Sequence, residues 1–342
     1  MPTLTSMAQR PDAVLSGPVR SADGRLLLGP NTRLTPRQVE LRRRRDALVF
    51  VSDAGAAREP HADVVDPVVR GHVMARLSQV HDALASPVAM LRTLGPSAAL
   101  AWLREDRLRD AVSGALCLDV DRALRAAAEE LLGSTIHVRA NGPRAHDASP
   151  LVHAVDTTAI AVALGRHLHL DRARLGELAR GCLLHDLGML LLPSDLRARG
   201  RLGPAERAAA RLHPRLGYEL LRRIRPGAVI ANHVAYQHHE RQDGAGYPRG
   251  LRGLNRVGRL SCREGASSAG RIILEAEIVA AADVYVALTA QRPHRAPFRP
   301  GQVVALLHRL AGRQLNREVV GALIDLIGGH PPAPAARAAA TR

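Results

Sequence analysis

The stretch LARGCLLHDLGMLLLP, from Leu178 to Pro193, carries more information than any other in this sequence. Leu178, Cys182 and His185 recur at i, i+4 and i+7, the spacing of one helix face. His185 is therefore expected to project from an apolar stripe, with Asp186 beside it. A carboxylate on a core-facing helix costs free energy unless something pairs it. The dipeptide alone leaves two readings open: a His–Asp pair satisfied within a core, or a metal site.

The surrounding helices add to the metal reading. His153 opens the apolar run LVHAVDTTAIAVALG, and His213 precedes Pro214 and is expected to cap the helix HPRLGYELLRRI. His238 and His239 are adjacent in HHERQDGAGYP, and Asp283 lies inside IVAAADVYVAL. Five histidines and two aspartates thus fall at the edges of hydrophobic helices. Imidazole and carboxylate without thiolate suit iron, manganese or zinc, and argue against a structural cysteine-type zinc site. Seven such groups are too many for one catalytic ion and about right for two. A carboxylate shared between ions would hold them roughly 3.5–4 Å apart and activate a water between them.

Composition bounds the rest. The chain has 342 residues, 46% hydrophobic and 23% charged, which is globular and long enough for two or three folding units. Cys117, Cys182 and Cys262 are widely spaced, which excludes a disulfide scaffold and fits a reducing compartment. The opening MPTLTSMAQRPD has no apolar stretch before its charges, so no signal peptide is expected. No uncharged apolar run reaches the roughly 18 residues of a membrane helix. The expected localisation is cytoplasmic. The formal net charge of +16 invites a nucleic-acid partner, but all 48 basic residues are arginine and aromatics make up only 2%. Base stacking wants aromatics interleaved with the cations. The bias reads as compositional, and solvated arginine-rich helix faces argue against nucleic-acid binding.

Four regions are expected. Residues 1–62 form a small N-terminal α/β piece, with strands at Arg25–Gly29 and Ala47–Asp53 around a helix that begins after Thr35. Residues 63–148 are a helical regulatory or linker region, with helix signals at Val73, Leu77, Val80, His81 and Leu84 and from Asp119 to Leu132. Breakers between Gly133 and Pro150 mark a boundary, residues 149–330 form an all-α domain, and 331–342 are a low-complexity disordered tail. The fold class is mainly α.

Residues 151–328 resemble an HD-GYP domain, the branch of the HD phosphohydrolase superfamily that cleaves cyclic di-GMP. The resemblance rests on ordered motifs: HDLG at His185–Gly188, HPxxG at His213–Gly217, HHExxDGxGYP at His238–Pro248, and ADVYxALTxxRPxR at Ala282–Arg295. It implies one divalent ion held by His153, His185, Asp186 and Asp283. It implies a second that shares Asp186 and takes His213, His238 and His239. Iron or manganese is the implied metal, with zinc an alternative, and His185 and Asp186 would form the catalytic centre. Gly246, Tyr247 and Pro248 would shape the pocket, and Arg292 and Arg295 would contact substrate phosphates, a role that suits the bidentate arginine fork.

The sequence also departs from the family pattern. Met189 stands where the motif has a lysine near the scissile phosphate, Val286 where it has a second aspartate, and Glu277 where it has an arginine. A glutamate that supplies a third metal in some members would fall at Ser149, which argues for two ions. LSCREGASSAG is an insertion of loop character. Among other residues, His233 is expected to be a packed histidine, and His167 and His169 to be exposed. Glu240 is expected either to orient His239 or to form a surface ion pair, and Asp243 and Gly244 to build the turn into Gly246. The clustering of Tyr218, Tyr236, Tyr247 and Tyr285 points to a pocket or to core packing. The implied function is a two-metal phosphodiesterase that converts cyclic di-GMP to pGpG or GMP. The alternatives are a degenerate relative that binds metal, and cyclic di-GMP with it, but signals through protein contacts, and an HD phosphohydrolase with another nucleotide substrate. A homodimer or a signalling-protein partner is open.

Overall fold

The computed structural model describes residues 19–20, 26–28, 64–105, 114–138, 149–193, 196, 202–257, 270–291 and 295–328. The chain divides into two compact units, residues 1–61 and 62–342. In the first, Val19–Arg20 (β1) pairs antiparallel with Leu26–Leu28 (β2). The strand expected at Arg25–Gly29 is thus present. The helix expected after Thr35 and the strand expected at Ala47–Asp53 lie outside the described residues.

The second unit is helical, as the periodicity of its apolar residues requires. In chain order its helices are α1 Pro67–Ala83, α2 Ala85–Leu94, α3 Pro96–Arg104, α4 Gly114–Gly133, α5 Pro150–His167, α6 Arg172–Leu183, α7 Pro204–Ala210, α8 His213–Ile224, α9 Val229–Gln237, α10 Leu274–Thr289, α11 Pro300–Leu310 and α12 Arg317–Leu326. A 3-10 turn spans Leu187–Leu191. Several starts are written in the sequence. Asp66, Ser149 and Asp171 each accept a hydrogen bond from a backbone N–H of the first turn, and proline follows directly at Pro67 and Pro150.

Helix α5 is the centre of this unit. Val155, Ile160, Val162 and Leu164 are fully buried, because α6 and α10 cover much of it and α1 and α12 pack elsewhere along it. A helix that is apolar nearly all round must be enclosed in this way. Helix α4 packs on both α1 and α6, so the hydrophobic core runs unbroken from Val64 to Ile327. Among the described residues, no helix is long and apolar enough to cross a membrane.

Two glycines fix the closest approach. A Cβ on Gly188 would lie 1.9 Å from the His213 carbonyl oxygen and 2.6 Å from the Gly217 backbone nitrogen. The turn after Asp186 therefore seats directly on the first turns of α8. This contact draws HDLG and HPRLG together.

Candidate metal centre

His185 and Asp186 do not continue the helix that the i, i+4, i+7 spacing suggested. Helix α6 ends at Leu183, the His185 N–H donates to the Cys182 carbonyl, and the chain turns into the 3-10 segment. The apolar stripe is real up to Cys182, but the glycine contact at α8 pulls the dipeptide into a turn. His213 likewise opens α8 as its first residue, with Leu212 at the cap position. Its ring faces the site instead of capping. His153 comes from the first turn of α5, His238 and His239 from the end of α9, and Asp283 from the middle of α10.

The structure brings these seven side chains into one contiguous group. Asp186, His213, His238 and His239 present ligand-type atoms within 4.8 Å of one another, as do His153, His185 and Asp186, and each set could hold a metal ion. Asp186 belongs to both. His213 Nε2 lies 3.2 Å and His238 Nε2 3.7 Å from one Asp186 carboxylate oxygen, while His185 Nε2 lies 3.6 Å from the other. Asp283 adjoins the second set through His153 Nε2, at 3.0 Å.

The hydrogen bonds at the far sides of the rings decide which nitrogens face inward. His185, His213 and His238 each donate from Nδ1 to the backbone carbonyl three residues earlier, at 2.7, 2.7 and 2.9 Å. That fixes the tautomer and leaves Nε2 as a lone pair aimed at the centre. The Nε2 atoms of His213 and His238 then face each other at 3.3 Å, both beside the same Asp186 oxygen. His185 Nε2 is buried without a hydrogen-bond partner. Orphaned imidazole nitrogens around ionised carboxylates are the donor set a divalent cation satisfies.

The electrostatics agree. Burial lowers the His185 imidazole below its ordinary value, although Asp186 opposes the shift. Burial, then His238 and His213, push His239 well below its own. Loss of water would raise Asp186, but His185, His213 and His238 together outweigh it and hold the carboxyl well below the usual range. For Asp283, burial is likewise overcome, chiefly by the hydrogen bond from His153. Neutral imidazoles at His185 and His239 beside ionised Asp186 and Asp283 are the protonation states that metal binding requires.

The HHERQDGAGYP loop forms one wall. Tyr247 stacks on His239, with ring centroids 4.8 Å apart and planes 28° from parallel. A Cβ on Gly246 would meet the Arg241 nitrogen at 2.4 Å, so only glycine lets the loop fold back this closely. The Tyr247–Pro248 peptide is cis. Glu240 neither orients His239 nor makes a surface ion pair. It is buried, and its two oxygens accept from the Arg249 and Leu251 backbone N–H groups at 2.7 and 2.8 Å. Asp243 accepts from the Ala245 N–H, and Gly244 has φ +76°, so both build the turn as expected. Sequence reading missed the loop's other anchor. Glu277, buried, accepts from Gln242 Nε2 at 2.6 Å and Asn316 Nδ2 at 2.8 Å.

Other expected residues fall as follows. Arg295 donates to the Ala287 carbonyl and lies over the Phe298 ring, and Arg292 and most of the LSCREGASSAG insertion lie outside the described residues. Met189 is half-buried against the core and Val286 is buried in it. Ser149 serves as the cap of α5. His233 packs against Tyr218 and Tyr236, His167 and His169 are exposed, and Tyr285 is fully buried. Of the four clustered tyrosines, Tyr247 meets the metal group, against His213 and His239.

A helical bundle with one aspartate shared by two histidine sets is the arrangement of an HD-type centre. The comparisons agree: residues 130–255 match the HD domain family. A stretch of 171 residues is 34% identical to the cyclic di-GMP phosphodiesterase response regulator RpfG of Xanthomonas campestris pv. campestris, covering 48% of this chain and 40% of that protein. A stretch of 247 residues is 26% identical to the cyclic di-GMP phosphodiesterase PA4108 of Pseudomonas aeruginosa, covering 71% of this chain and 54% of that one. The chain therefore spans about half the length of these curated relatives. Among solved structures, Bd1817, an HDG"Y"P protein from Bdellovibrio bacteriovorus, matches with a TM-score of 0.48 at 17% identity, covering 94% of this chain and 97% of that one. Residues 130–255 are thus similar to the HD domain family, and the curated relatives above are named as cyclic di-GMP phosphodiesterases.

Proposed function

We propose that this protein is a metal-dependent phosphodiesterase that hydrolyses cyclic di-GMP to pGpG or GMP. The observation that carries the reading is the position of Asp186, common to both ligand sets, with inward Nε2 lone pairs around it. His153, His185, Asp186 and Asp283 would hold one divalent ion, and Asp186, His213, His238 and His239 the other. Two such ions, iron or manganese ahead of zinc for this nitrogen and oxygen set, would supply Lewis acidity and acidify an attacking water. The protein's part is positional. Three backbone carbonyls lock the rings, Gly188 sets the distance between the two motifs, and Tyr247 closes the side next to His239. The names of the relatives support a cyclic dinucleotide as substrate.

A second reading has its own observation. Met189 offers no charge where the resemblance implies a lysine, and Val286, buried in the core, offers no carboxylate where it implies an aspartate. A protein that binds metal and cyclic di-GMP and signals by contact would tolerate both. The deciding experiment is cyclic di-GMP turnover by protein loaded anaerobically with iron(II) or manganese(II), with Asp186→Ala as control. Linear product from wild type alone is the expected result. No product from metal-replete wild type would shift the assignment to the binding-only protein.

A further inference from the structure

A cyclic dinucleotide carries two phosphate anions, yet the cation that the motif would supply at Met189 is absent, and Arg295 is engaged at the end of α10. Another arginine stands beside the centre. Arg211 lies two residues before His213, in the link between α7 and α8. Its guanidinium carbon is 5.4 Å from the centroid of the Tyr247 ring. Tyr247 stacks on His239 and makes an edge contact with His213, ring centroids 4.8 and 6.5 Å away. Arg211 is thus one ring removed from two of the candidate ligands.

Its place over the Tyr247 ring sets it beside the centre, whereas other arginines are engaged elsewhere. Arg174, Arg225 and Arg241 are bound to Glu275, Asp121 and Asp243. Arg211 is exposed, and its guanidinium makes no ion pair or hydrogen bond among the described residues. The face of Tyr247 steadies the cation by a cation–π contact without consuming its N–H donors. Among the described residues no acceptor takes its donors, whose fork geometry matches phosphate oxygens.

We propose that Arg211 is a phosphate-recognition residue. It contacts a phosphate of the dinucleotide seated at the His213, His238 and His239 end of the centre, and supplies from the Tyr247 side the cation that Met189 does not. The proposal rests on the cyclic dinucleotide reading above. The test combines three readouts on manganese-loaded protein: the Kd for pGpG, the KM and kcat for cyclic di-GMP, and ions bound per chain. Arg211→Ala is expected to raise Kd and KM by about tenfold, the scale of a charge-assisted bidentate contact, with ion content unchanged. Arg211→Lys should recover part of the loss. Arg122→Ala, which removes an exposed charge on α4, should leave both constants unchanged, because bulk charge is not the cause.

Each failure has its own signature. Constants for Arg211→Ala within twofold of wild type, or a loss matched by Arg122→Ala, overturn the assignment while turnover stands. Loss of ions from Arg211→Ala makes the residue a clamp on Tyr247 and overturns it too. Wild type that binds pGpG but turns over nothing defeats the catalytic reading alone, and the Kd comparison still decides for Arg211. Wild type that binds no pGpG overturns both.

Discussion

Asp186 sits where the two ligand sets meet, and the rings around it are oriented by backbone carbonyls, not by other side chains. The inward lone pairs therefore follow from helix ends, where carbonyls are free to accept. The grouping was legible in the sequence: the five histidines and two aspartates singled out there lie together in the fold. What the spacing could not show was orientation. The i, i+7 relation placed His185 on a continuous helix, whereas a contact with α8 ends that helix at Leu183. Arg211 was equally hidden, since only the folded loop brings Tyr247 to it. Met189 remains the residue most open to improvement. Met189→Lys should raise kcat/KM for cyclic di-GMP several-fold, because it restores a cation three residues from Asp186. A fall in kcat/KM would mean that this pocket arranges its phosphate contacts differently.

At the scale of elements, the wall of the site is a loop that must be tied down. Glu240 staples the backbone of residues 249 and 251, and Glu277 joins Gln242 of the loop to Asn316 at the start of α12. These ties link residues 35 and 39 positions apart, which explains why a position that looked like a lost arginine in the motif turned out to be a structural acceptor. Burial pushes the Glu277 carboxyl up from 4.5 to about 7, against the hydrogen bonds from Gln242 and Asn316. A carboxyl raised on folding binds its proton more tightly in the folded state. Its stabilising contribution is therefore complete below the unfolded value and is lost as pH rises through about 7. At about 1.4 kcal/mol for each pH unit between the two values, the contribution is on the order of 3 kcal/mol. Urea unfolding at pH 5 and pH 8 should show wild type losing stability toward the higher pH, with the loss much reduced in Glu277→Gln. Equal pH dependence in the two proteins would remove Glu277 as its source.

On the scale of the whole molecule, the helices before and after residue 140 share one core. Helix α1 packs on α5, and buried Asp156 of α5 pairs with Arg70 of α1, one helical turn from His153. The breakers read as a domain boundary fall between the end of α4 at Gly133 and the start of α5 at Pro150, within one compact unit, and periodicity within each helix said nothing about this long-range pair. Removing one partner of a buried ion pair strands the other charge in the interior. Asp156→Ala should therefore lower unfolding stability by about 3–5 kcal/mol, read from denaturant titration, and a loss below about 1 kcal/mol would show that water reaches Arg70.

The assignment stands or falls on one carboxylate serving two ions. Elemental analysis of protein loaded anaerobically with manganese(II), wild type beside Asp186→Ala, tests it directly. Wild type is expected to hold two ions per chain, and the variant to lose ions from both sites. A variant that keeps its full metal content would contradict the shared-ligand assignment.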